Sequence, residues 1–397
     1  MTALLSPAHR FWLLLSLCVL GFGLLYAVVR DAGCGARRRG LVRRIAAMGA
    51  PPAEADQAAV DALRDGMSQA QQTLRRTLRS KSAALVPWFL FFGGTQARVP
   101  ALLATARGER APAGDDAGAH AAASGDPFGG AWWHWWLTGA AMAVETHPGL
   151  AGDTGGTPAM RGLWLQSLLA LAERRNRLPL NGLVVCVGAH ELLHDDATEL
   201  RPKAARLRHL LDETSDTLRL QLPTYLVVTG LEQLAGYAVL RGALAPEVLA
   251  QAIGHRLTDP SAFIETPAGA RFDAVFEPIV QQLHGLRMAL LREQPSAAAR
   301  LAVHSFVEDV RALQPGLRQF AEVLFESHGK GTRMPRWRGL YLTASASQAH
   351  ADDAADSGGA FVSDLFGHFL PADQPLVRPG RPSSATSSAP STQLAPL

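Results

Sequence analysis

Nineteen consecutive residues without a charge, Phe11 to Val29 (FWLLLSLCVLGFGLLYAVV), constrain this chain more than any other feature. A helix over that run rises roughly 28 Å at 1.5 Å per residue, enough to cross the hydrocarbon core of a bilayer. Arg10 stands alone before it, whereas Arg30, Arg37, Arg38, Arg39, Arg43 and Arg44 follow. Basic residues collect on the cytoplasmic side of a span, so residues 1–10 are expected outside and everything after residue 29 inside. Trp12 and Tyr26 fall near the two ends, where amphipathic rings favour the interface. A cleaved export signal carries its basic residues first and a small-residue cleavage site afterwards. The order here is reversed. The run at 11–29 therefore reads as an uncleaved, single-pass anchor.

The rest of the chain has the composition of a folded protein. Its apolar fraction of 48% over 397 residues supplies a buried core and room for more than one domain. Net charge is only +3, and much of the excess sits just after the apolar run. That is not the clustered basic and aromatic face of a nucleic-acid binder, so no nucleic-acid partner is expected. Cys18, Cys34 and Cys186 form no CxxC pair, which indicates neither a disulfide framework nor a thiolate zinc site.

Residues 30–84 read as a basic juxtamembrane segment and an amphipathic helix, with Val60, Leu63, Met67, Leu74 and Leu78 at helical spacing. Trp88 to Phe92 is a wholly apolar strand ending in Gly93-Gly94, and Ala111 to Gly130 is a loop rich in Gly, Ala and Asp. Two further apolar strands, Gly182–Val187 and Tyr225–Val228, each follow a helix, at Gly162–Arg175 and near Pro202–Leu218. Buried strands alternating with helices predict an α/β domain over 85–245, a parallel sheet covered by helices on both faces. The stretch 246–345 reads as an all-helical subdomain, with only helical patterning from Pro246 to Glu326. Residues 346–397 form a C-terminal segment whose Pro- and Ser-rich tail, from Pro371 onward, is expected to be disordered.

In order, the chain contains PWFLFFGG (Pro87–Gly94), a WW pair before a strand, WLQSLLALAERRNRLPLNGLVVCV (Trp164–Val187) and LPTYLVVTGLEQLAGY (Leu222–Tyr237). RGLYLTASASQ (Arg338–Gln348) and FVSDLFGHFLP (Phe361–Pro371) follow. Together they resemble the cytoplasmic region of the IcmF/TssM family, the large inner-membrane proteins of type VI secretion systems, over roughly residues 50–375. The most specific pieces are Arg175 to Val187 and Arg338 to Thr343. The resemblance implies a P-loop NTPase-like fold, a bacterial inner-membrane location with a short periplasmic N-terminus, and partners among membrane-complex and baseplate proteins besides membrane lipid. Family members typically begin with a paired membrane hairpin and have a later span leading to a periplasmic region. Here one span is expected, carrying the cytoplasmic module.

The nucleotide chemistry of that family is degraded at three places. A P-loop needs glycines to bring backbone N–H groups to the phosphates, a lysine for the β/γ oxygens and a Ser/Thr for magnesium. The strand leads instead into Gly93, Gly94, Thr95, Gln96, Ala97 and Arg98, with Val99 and Pro100 where the lysine and hydroxyl belong. The acidic Asp-Thr-Ala-Gly motif has become Glu145-Thr146-His147-Pro148-Gly149, and the Thr-Lys-x-Asp base motif has become Thr229-Gly230-Leu231-Glu232. The expectation is a pseudo-NTPase with no cofactor, a non-catalytic scaffold or accessory component. A working NTPase with unorthodox motifs is the alternative, with Arg98 as substitute cation.

A second alternative is a zinc peptidase, since His190-Glu191-Leu192-Leu193-His194 matches HExxH, whose i and i+4 imidazoles share one helix face. Asp195 or Glu199 follow too closely to supply the third ligand, which zincins place on a later helix, so no metal is expected. The WWHWW cluster (Trp132–Trp136) has two readings, an interaction surface or a strand alternating between the core and a membrane-proximal or inter-domain face, and the second is favoured. Topology is directly testable. Alkaline phosphatase fused after Leu397 is expected to be inactive and a cytoplasmic reporter there active; an active phosphatase would overturn the orientation.

Overall fold

A computed structural model describes residues 7–47, 54–77, 86–106, 108–110, 132–152, 157–175, 178–257, 266–326, 335–346, 359–373 and 376–379. The chain opens with helices α1 (Pro7–Ala47) and α2 (Glu54–Thr77), then strand β1 (Trp88–Phe92) and helix α3 (Val99–Thr105). Strands β2 (Glu109–Arg110), β3 (Trp133–Leu137) and β4 (Met142–Thr146) precede α4 (Pro158–Arg174) and β5 (Gly182–Gly188). Next come α5 (Ala189–His194), α6 (Ala197–Leu218), β6 (Leu220–Gln221) and β7 (Pro223–Thr229). The short helices α7 (Tyr237–Gly242) and α8 (Pro246–Ala250) lead to β8 (Ile253–Arg256) and the long helices α9 (Ala268–Glu293), α10 (Ala297–Ala312) and α11 (Gln314–Phe325). Strand β9 (Arg336–Leu342), α12 (Leu370–Ala372) and β10 (Arg378–Pro379) complete the described elements.

Eight strands form one sheet in the order β2-β3-β4-β1-β5-β7-β9-β8. The protein is α/β, as its pattern predicts, but the sheet is mixed and not wholly parallel. The central strands β4, β1, β5, β7 and β9 pair in parallel, whereas β2, β3 and β8 join antiparallel at the edges. At one edge the cause is local. Thr138 and Ala141 bond each other across a tight turn, and so short a link between β3 and β4 admits only a hairpin.

The stretch expected to be all-helical is corrected as well. It holds β8 and β9, both in the main sheet, so α9 to α11 are inserted between two of its strands. Ile253-Gly254-His255-Arg256 is too short and too polar to announce a strand, and Gly254 lies so close to Tyr341 and the Leu340 carbonyl that a Cβ there would meet backbone oxygen at 2.4 Å. A third correction concerns the tail. Pro371 onward was expected to be disordered, yet Pro371 lies in α12, Asp373 is buried and β10 pairs with β6. Residues 380–397 and the loop at 111–130 lie outside the described residues.

Every side chain of β1 is buried, and alternation divides them between two cores. Trp88, Leu90 and Phe92 enter the larger one with Trp133, Trp135, Trp164, Leu183 and Val185. Phe89 and Phe91 enter the smaller one with Leu102, Leu103, Val184, Tyr225, Leu365 and Phe366. The four tryptophans of the cluster are thus all core, Trp132, Trp133 and Trp135 in the larger and Trp136 in the smaller, so neither face of the strand is left for a membrane or a second domain. Trp135 meets Trp88 edge-on at 5.6 Å, and Trp164 meets both Phe92 and Trp133 at 5.7 and 5.9 Å. Such offset contacts suit the ring quadrupoles.

Helix α2 packs Leu63, Met67, Ala70 and Leu74 against the larger core and buries Val60; of the expected face Val60, Leu63, Met67 and Leu74 are thus buried, while Leu78 lies outside the described residues. Helix α1 behaves differently along its length. Its side chains from Phe11 to Leu25 are exposed, whereas Leu41 is fully buried, Arg38 pairs with Glu173 at 3.0 Å and Arg44 donates to Thr217 Oγ1 at 2.8 Å. Among the described residues no helix is long and apolar enough to cross a membrane; within the apolar run the described side chains are 11–25.

The C-terminal segment is fastened by one carboxylate. Asp373 accepts hydrogen bonds from Tyr225 Oη at 2.7 Å and from Arg338 at 2.8 and 3.0 Å, and it pairs with Arg256. Phe366 of the same segment stacks on Phe91 at 5.8 Å. Removing one member of a buried ion network strands the others without a partner. Asp373→Ala is expected to cost about 3 kcal/mol of stability. The midpoint of urea unfolding of the full chain in detergent checks this, and an unchanged midpoint would show that the arginines find water instead.

Candidate functional site

Ligands of open α/β sheets bind at the carboxyl ends of the parallel strands. At that crest lies a cavity of about 510 Å³. Its walls come from the loop after β1 (Gly94, Thr95, Gln96), the turn after β4 (Pro148, Gly149) and helices α5 and α6 (Glu191, Lys203, Arg206). The segments 93–100, 145–149 and 229–232 stand around this crest, and Arg98, Glu145, Thr146 and Thr229 are each paired within the chain.

The loop after β1 folds tightly on its own backbone. Ala97 N–H bonds Gly94 O at 3.1 Å and Arg98 N–H bonds Thr95 O at 3.3 Å, closing a short 3₁₀ turn over Thr95–Ala97. Arg98 then takes a left-handed conformation, φ 43°, which turns the chain into α3. Gly93 must be glycine because a Cβ would lie 2.7 Å from Val99 and 2.9 Å from Ala97. Close approach by the chain's own side chains, not by a ligand, sets that requirement.

Arg98, the candidate substitute cation, does not line the cavity. Its Nη1 lies 3.6 Å from Glu232 Oε1, and the other oxygen of Glu232 accepts the backbone N–H of Ser345 at 2.8 Å. Thr229 donates to Ala97 O at 2.7 Å, tying the end of β7 to the loop after β1. The loop after β1 and the end of β7 therefore meet each other. Glu145 is sunk in the sheet, where Trp136 Nε1 donates to its Oε2 at 2.8 Å and His134 Nδ1 lies 3.5 Å away. Thr146 donates to Phe91 O at 2.9 Å. Neither residue lines the cavity. Cys186 does, in β5, where burial and the charge of Glu145 push its thiol well above the usual range.

The HELLH segment forms α5 directly after β5. The rings of His190 and His194 stack at 4.1 Å, and His194 Nδ1 lies 3.0 Å from His190 O. Glu191 is turned inward, accepting the backbone N–H of Gly188 at 2.9 Å and Lys203 Nζ at 3.2 Å. The group a peptidase would use as base is thus engaged in closing its own helix. Among the described residues no three of His, Cys, Asp and Glu come together to hold a metal ion.

Lys203 is the residue sequence reasoning missed. It bridges Glu191 and, at 2.6 Å, Asp195. Burial lowers its pKa and the two carboxylates raise it, with a net rise. The available signal was rarity: it is one of three lysines in the chain, the others being Lys81 and Lys330.

These features define an α/β protein with a mixed eight-stranded sheet and a crest cavity edged by internal ion pairs. The profile of the IcmF-related N-terminal domain matches residues 159–389, more than half of the chain, and the chain belongs to that family. The type VI secretion system component TssM1 of Pseudomonas aeruginosa is 26% identical over 220 residues. That stretch is 55% of this chain and 20% of the relative, so the chain matches about a fifth of the relative's length. No solved structure matches the chain.

Proposed function

We propose that this protein is a non-catalytic, membrane-anchored scaffold or accessory component of a type VI secretion membrane complex, with a nucleotide-binding fold that has lost its chemistry. One observation carries the non-catalytic part. Four polar side chains of the degraded motifs have a partner inside the chain: Arg98 with Glu232, Glu145 with Trp136, Thr146 with Phe91 O and Thr229 with Ala97 O. Phosphoryl transfer depends almost wholly on positioned cations and donors, and those groups are absent or engaged. The relative's description as a type VI secretion component supports the assignment to that machinery.

The anchor is α1. Its exposed run from Phe11 to Leu25 (Phe11 and Trp12 are 62% and 64% exposed) is a large apolar surface that water does not favour, and a bilayer would cover it. Arg38 and Arg44 are held by the folded domain, while Arg39 and Arg43 are exposed and suited to lipid phosphates. Membrane-complex and baseplate proteins of the same machinery are the partners this reading implies.

Calorimetric titration of the full chain in detergent with ATP and GTP plus magnesium tests the non-catalytic claim. No heat of binding is expected up to about millimolar ligand, a limit near −4 kcal/mol. Micromolar affinity lost on Arg98→Ala would show a working NTPase in which Arg98 has left Glu232 for phosphate.

A further inference from the structure

The crest cavity has an occupant supplied by the chain. Glu191 is buried, and its two oxygens reach different parts of the site. Oε2 accepts the N–H of Gly188 at the end of β5. Oε1 accepts from Lys203 and lies 3.8 Å from the position a Cβ would take at Gly94, directly beside the loop after β1. Gly188 is itself pressed against that loop, since a Cβ there would meet Gln96 O at 2.8 Å. The carboxylate therefore stands where β1 and β5 end side by side, between their two glycines. That is the place an incoming anion would have to take.

We infer that Glu191 is an internal plug that closes a latent anion site to phosphate-bearing ligands, with Lys203 as the cation of that site. Three observations converge. The cavity is lined by the cations Lys203 and Arg206 beside the carboxylates Glu191 and Glu199, so a site for an anion opens there only when a carboxylate is neutralised. Lys203 is held by two carboxylates at once, Glu191 and Asp195, which cancel that charge. Glu191 Oε1 is turned toward Gly94, inside the cavity lining, rather than to solvent. An entering phosphate would have to displace a buried carboxylate from both a backbone N–H and an ammonium, and would meet its negative charge while doing so. The plug rests on the scaffold reading and deepens it, because it explains closure without appeal to the missing P-loop lysine.

The test uses inorganic pyrophosphate and the full chain in detergent. Glu191→Gln with Asp195→Asn removes both charges from Lys203 while keeping the shapes. Pyrophosphate affinity is expected to rise about tenfold or more over the unmodified chain. Adding Lys203→Ala is expected to abolish the gain. A folded double variant with no gain, or a gain that survives Lys203→Ala, overturns the plug. Should the double variant fail to fold, Glu191→Gln alone keeps an acceptor for Gly188 N–H and carries the same test, with no gain again overturning it. These outcomes are separate from failure of the scaffold reading, whose signature is magnesium–nucleotide binding by the unmodified chain that depends on Arg98.

Discussion

Burying β1 on both faces is the constraint from which the rest of the structure follows. Trp88, Leu90 and Phe92 need cover on one side of the sheet, Phe89 and Phe91 on the other. A strand buried on both faces has no solvated side to relieve poor packing, so two independent layers have to form. The layer over Trp88, Leu90 and Phe92 includes α2 and α4, whose Trp164 fills the space between Phe92 and Trp133. The other layer is built from α3 and from the C-terminal segment, drawn back across the sheet and fixed by Asp373. Residues almost three hundred positions apart are thereby joined in one core.

The same economy of partners governs the crest. In a nucleotide-binding α/β protein the loop after the first strand stays open and its donors await a ligand. Here the loop closes on Gly94 O and Thr95 O, receives Thr229, and is faced by Glu191. Ion pairs at Arg98–Glu232 and Glu191–Lys203 bind neighbouring elements together: α3 to the end of β7 in one case, α5 to α6 in the other. The crest has the architecture of a receptor and the internal bonding of a structural joint. That arrangement leaves fewer backbone groups to be ordered by a ligand.

Much of this was legible in the sequence, and the reasons for success and failure are physical. The runs GLVVCV and YLVV announced β5 and β7 because strands buried on both faces must be continuously apolar. The α2 face was legible because Val60, Leu63, Met67 and Leu74 recur at helical spacing. The departure of Arg98, Val99 and Pro100 from a P-loop pattern was legible because phosphate binding demands particular residue types. Hidden instead was everything set by distant pairing. Nothing local in IGHR marks an edge strand, whose existence depends on β9 some eighty residues later. Asp373 sits in a Pro-rich stretch that reads as tail, and only the approach of Arg256, Arg338 and Tyr225 makes it a buried anchor. Glu191 was legible as a member of HELLH, but its actual role depends on Lys203 twelve positions away, on the next helix.

The central claim is that the polar groups at the crest are satisfied internally and leave nothing for a nucleotide to order. Hydrogen exchange of the full chain in detergent, with and without millimolar magnesium–ATP or magnesium–GTP, addresses this most directly. Residues 93–100, 145–152 and 186–203 are expected to exchange at the same rates in all three conditions. Protection confined to those segments on adding nucleotide would contradict it.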